Sequence, residues 1–140
     1  MSTEASVPRA VDGASPIRDR AVAVVVAVLA AVAVWSIATL SGAQLTVDQG
    51  AGPQDVTVLA VVLNAAIAAL LGWGLLAVLE RFSARARRIW TGIALTVLVL
   101  SLVPASLVGA SAGTRAALVL MHLVVGAVVI VGFRRGARRA

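Results

Sequence analysis

Glu80-Arg81-Phe82-Ser83-Ala84-Arg85-Ala86-Arg87-Arg88 lies between two long apolar runs, and its four arginines orient the whole chain. Working outward in both directions, each side of this hinge holds two uncharged or nearly uncharged runs of spanning length, so the chain reads as two helical hairpins in a membrane. Apolar residues make up 61% of the sequence and charged residues 13%, with a mean hydropathy of +1.03. Ordinary soluble domains have about 45–50% apolar and about 25% charged residues. A water-soluble core of 140 residues could not bury so much apolar surface.

A helix rises about 1.5 Å per residue and the hydrocarbon layer is about 30 Å thick, so roughly 20 residues make one crossing. The expected spans are residues 21–40, 56–79, 89–107 and 116–133, packed as an all-α antiparallel four-helix bundle. Residues 1–20 carry Pro8, Gly13, Pro16 and six charged side chains without an apolar period, and are expected to form a flexible tail. Residues 134–140 form a basic C-terminal tail. A cleaved secretory leader is the competing reading of the first run, because small residues follow it at Ser41-Gly42-Ala43. Such leaders have apolar cores of about 7–15 residues, shorter than this run.

All twelve basic residues are arginine, and eleven fall on one side of the threading. Arg9, Arg18 and Arg20 belong to the tail, Arg81, Arg85, Arg87 and Arg88 to the hinge, and Arg134, Arg135, Arg138 and Arg139 to the C-terminus. The opposite loops hold only Arg115. Cytoplasmic segments retain Lys and Arg, so both termini and the hinge are expected inside a bacterial plasma membrane. The arginines do not alternate with aromatics along a groove, so no nucleic-acid partner is expected.

The second span starts after Asp55, which is placed to cap it, and Ala60, Asn64, Ala68 and Gly72 at four-residue steps suggest a face for close helix contact. Ala23, Ala27 and Ala31 make a similar face on the first span. Thr114 is placed to cap the fourth, and Pro104 stands near the outer end of the third. Phe82, Trp90 and Phe133 are expected at the inner headgroup level. The surroundings of Trp35 and Trp73, protein or lipid, stay open at this point.

Few polar side chains lie within the spans. His122 is about 10 Å from the outer start of the fourth, and Asn64 about 12 Å from that of the second, so antiparallel threading sets them at one level. Ser36, Thr39 and Ser101 add hydroxyls in the same half, and Arg115 stands two turns from His122 on one helix face. A histidine at that depth is a functional candidate by default. The set His122, Asn64, Ser36, Ser101 and Arg115 therefore defines a candidate outward-facing polar pocket for a ligand or transported substrate. The alternative role is helix adhesion, worth about 0.6 kcal/mol for an average interhelical hydrogen bond in a membrane.

Much chemistry is missing. No carboxylate lies inside a span, no cysteine occurs, and one histidine cannot assemble a usual zinc site or paired haem ligands. No nucleophile–base–acid set, phosphate-binding glycine loop or dinucleotide fingerprint is present. No metal or other cofactor is expected, and an enzyme is the least supported class. The expected role is non-enzymatic, exerted through packing with lipid, with another copy of the chain or with another membrane protein.

Three stretches carry a resemblance: Gly72-Trp73-Gly74-Leu75-Leu76 through Glu80-Arg81-Phe82; Arg87-Arg88-Ile89-Trp90-Thr91; and Met121-His122-Leu123-Val124-Val125-Gly126-Ala127-Val128-Val129-Ile130. With them, residues 21–135 resemble a family of small four-span bacterial membrane proteins of unassigned function, common in high-GC lineages. The resemblance implies the bundle but no reaction, ligand or catalytic residue.

Overall fold

The computed structural model describes residues 15–136, and the expected flexibility of residues 1–14 and the positions of Arg138 and Arg139 lie outside them. Four helices fill most of that range: α1 (Pro16–Leu40), α2 (Val58–Phe82), α3 (Ala86–Leu107) and α4 (Ala112–Gly136). Each is long and apolar enough to cross a membrane. A short antiparallel hairpin, β1 (Thr46–Asp48) and β2 (Pro53–Asp55), fills the first interhelical connection.

The first helix starts at Pro16, five residues inside the segment expected to be a tail. Ser15 caps it by accepting from the Arg18 amide, and Pro16 occupies the first turn, where its missing N–H costs nothing. Arg18 and Arg20 therefore ride on a helix. At the far end the Ser41 amide donates to the Ile37 carbonyl, and Gly42 turns the chain with φ 83°.

The connection between α1 and α2 is tied down at several points. Asp48 accepts from the Gly50 and Gly52 amides at 2.8 and 3.2 Å, closing the hairpin turn. The Asp48 amide donates to the Gly109 carbonyl at 2.8 Å, joining the hairpin to the α3–α4 connection. Val56 stays extended because its amide donates to the Leu45 carbonyl while its own carbonyl accepts from Trp35 Nε1 at 2.7 Å. The second helix consequently starts two residues later than expected, capped by Thr57 instead of Asp55. Thr114 likewise does not cap α4: the Ser111 hydroxyl accepts its amide, while the fully buried Thr114 hydroxyl donates to the Gln44 carbonyl at 2.8 Å.

The helices form a ring in which α1 touches α2 and α4, and α3 touches α2 and α4. The closest approach is between α1 and α4, where a methyl group added at Gly132 would stand 2.5 Å from Ala23 Cβ. Ala23, Ala27 and Ala31 form the buried stripe of α1, as their spacing suggests. Gly126 plays the same part against α3, with Leu98 seated over the missing side chain. Without a hydrophobic difference between lipid tails and helix interior, such backbone proximity is what holds membrane helices together.

Two apolar clusters fill the centre. Toward the arginine-rich end lie Ala69, Leu76, Trp90, Val129 and Phe133, and toward the hairpin end Leu45, Val61, Ala65, Ala117 and Met121. Trp90 and Phe133 are therefore core residues, not headgroup anchors; their ring centroids are 5.5 Å apart, and Trp90 Nε1 donates to the Gly72 carbonyl at 2.8 Å. That bond satisfies the indole N–H away from water, so the ring can sit inside. Phe82 is exposed at the helix end, and Trp35 packs half-buried against the hairpin-end cluster.

Candidate functional site

Four of the five side chains of the expected polar pocket bond to backbone carbonyls close to them in sequence. His122, half-buried, donates from Nδ1 to the Leu118 carbonyl at 2.7 Å. That carbonyl can only accept, so Nδ1 carries the hydrogen. Asn64 Nδ2 donates to the Ala60 carbonyl at 2.8 Å and Ser101 to the Leu98 carbonyl at 2.7 Å. Ser36 is half-buried on α1. Arg115 is exposed and donates to the Val108 carbonyl at 3.1 Å, bracing the α3–α4 connection. No hydrogen bond among the described residues joins any two of the five. Residues three or four apart on a helix offer the nearest acceptor, and local bonding has won over convergence.

The small-residue face of α2 is also rotated from its expected position. The inward residues are Val61, Ala65, Ala69 and Leu76, one step along from the Ala60–Asn64–Ala68–Gly72 stripe. Asn64 and Ala68 are exposed on the outside of the bundle. An amide at membrane depth thus faces outward with its carbonyl oxygen unused by any bond among the described residues.

At the opposite end the structure gathers charge. Starts of α1 and α3 meet ends of α2 and α4, bringing Arg18, Arg20, Arg81, Arg85, Arg87, Arg88, Arg134 and Arg135 to one end of the bundle. Most of these are exposed. Arg20 is buried, and its guanidinium donates to Glu80 Oε1 at 2.6 Å, the one ion pair among the described residues. The Arg20 Nε has no partner. This pair was legible in principle: positions 20, 23, 27 and 31 share one helix face, so the alanine stripe carries Arg20 inward with it. Two open cavities lie at this end. One, about 300 Å³, is lined by Arg87, Arg88, Thr91 and Gly92 of α3 and Arg134 of α4. The other, about 630 Å³, runs along residues 83–88 and includes Glu80.

Among the described residues no three histidine, aspartate or glutamate side chains come close enough to hold a metal ion. No curated protein and no solved structure matches the chain. A family model does match, over residues 11–139. The chain accordingly belongs to the family of unknown function DUF6069, and its four apolar helices make it a multi-pass membrane protein.

Proposed function

We propose that the protein is a non-enzymatic component of the bacterial plasma membrane, with both ends and the hinge in the cytoplasm, that works by lateral helix contact with another copy or another membrane protein. The observation that carries this reading is the outward face of α2, where Asn64 and Ala68 are exposed one turn apart. Small residues let a second helix approach within backbone distance, and an amide held among apolar side chains gains from a partner across the contact. The large exposed side chains nearby, Leu59, Leu63, Leu71 and Leu75, suit lipid or a partner equally. The amide does not: hydrocarbon offers it nothing to bond.

The chain has no cysteine, so Ala68→Cys supplies a unique probe. Oxidation in native membranes is expected to capture a disulfide-linked pair of copies, or a mixed product with another cysteine-bearing membrane protein. Adding Asn64→Leu should reduce that yield about tenfold, as expected for loss of a hydrogen bond worth up to about 1.7 kcal/mol. Val97→Cys, on an exposed site of α3, serves as control. Equal crosslinking at the two positions would mean random collision and would end this reading.

A further inference from the structure

The geometry points to a binding site for the phosphate head of a doubly charged anionic phospholipid in the cavity between the first turns of α3 and the last turn of α4. Arg87, Arg88 and Arg134 converge on it from two helices, and none has a carboxylate partner among the described residues. Three guanidinium groups around about 300 Å³ present forked donors that match phosphate oxygens two at a time. The start of α3 adds the positive end of the helix dipole, and its N-cap, Arg85, makes no side-chain cap bond. The neighbouring larger cavity shares Arg87 and Arg88 but includes the Glu80 carboxylate, which repels an anion.

The wall explains why the ligand is a lipid. Gly92 lines the cavity without a side chain, and nothing stands within 4 Å of where one would begin. Along the same face of α3, the positions below Arg88, Thr91 and Gly92 are Leu95 and Val99, both exposed and apolar, and one turn from Arg134 on α4 is exposed Val131. A headgroup among the arginines would therefore lay its acyl chains on this strip, the geometry by which basic pockets between spans hold anionic lipids. Three cations favour two negative charges over one. The site depends on the membrane reading of the chain but not on the α2 contact face.

The full chain in nanodiscs of equimolar phosphatidylcholine and phosphatidic acid, released into native mass spectrometry, is expected to retain phosphatidic acid over phosphatidylcholine, and over phosphatidylglycerol in a matched disc. Arg88→Gln combined with Arg134→Gln should cut that retention about tenfold, the scale of one lost charge-assisted contact. Arg81→Gln with Arg135→Gln removes the same charge outside the cavity and should leave retention within about twofold. Equal loss in both double variants, or no enrichment of phosphatidic acid, would overturn the site. Millimolar inorganic phosphate should not displace the lipid; displacement would reassign the cavity to a soluble anion. Unchanged helicity in both variants keeps these comparisons valid.

Discussion

Glu80→Ala is expected to destabilise the bundle by about 3 kcal/mol, the low end of the range for stripping one partner from a buried ion pair. The reason lies with the residue left behind. Arg20 is 6% exposed, its Nε already lacks a partner, and removal of Glu80 would leave the whole guanidinium without a counter-charge among the described residues. The Glu80 side chain is 34% exposed, so water reaches one side of the pair and softens the loss. Replacing both partners, Arg20→Met with Glu80→Leu, removes the buried charge altogether and should recover most of that stability. Unfolding by detergent titration in mixed micelles would measure each step. A Glu80→Ala protein as stable as the parent would show that Arg20 reaches solvent by another path.

Trp90→Ala should cost about as much, roughly 3 kcal/mol, for a different reason. The ring is 2% exposed between Gly72 and Phe133. In a bilayer the transfer part of the usual penalty shrinks, because lipid tails are as apolar as the helix interior. Lost dispersion and the cavity remain. Trp90→Phe keeps most of the volume and gives up the bond to the Gly72 carbonyl, so about 1 kcal/mol is expected. The same titration separates the two variants; equal losses for Phe and Ala would place the energy in the hydrogen bond instead of the packing.

Helix number and order were readable from the sequence because four apolar runs of spanning length leave little alternative, and the arginines mark their ends. The alanine stripe of α1 was readable too, since Ala23, Ala27 and Ala31 point the same way. The facing of α2 was not. Ala65 and Ala69 are as small as Ala60 and Ala68, so in an alanine-rich helix two adjacent stripes score alike, and contact with α1 and α3 decides between them. Helix starts were missed where a tertiary bond overrode a local cap, as when Val56 was held extended by Leu45 and Trp35. The His122–Asn64 pairing rested on depth along each helix axis, which says nothing of rotation about it. Each side chain bonds to the backbone of its own helix, and no hydrogen bond among the described residues joins the two.

The proposed cytoplasmic side of the arginine-rich end can be tested directly. Single cysteines at two exposed positions, Gln49→Cys in the hairpin turn and Ala84→Cys in the hinge, can be treated in intact cells with a membrane-impermeant maleimide. The hairpin position is expected to label at once and the hinge position only after permeabilisation. Labelling of the hinge in intact cells, with the hairpin protected, would contradict the account.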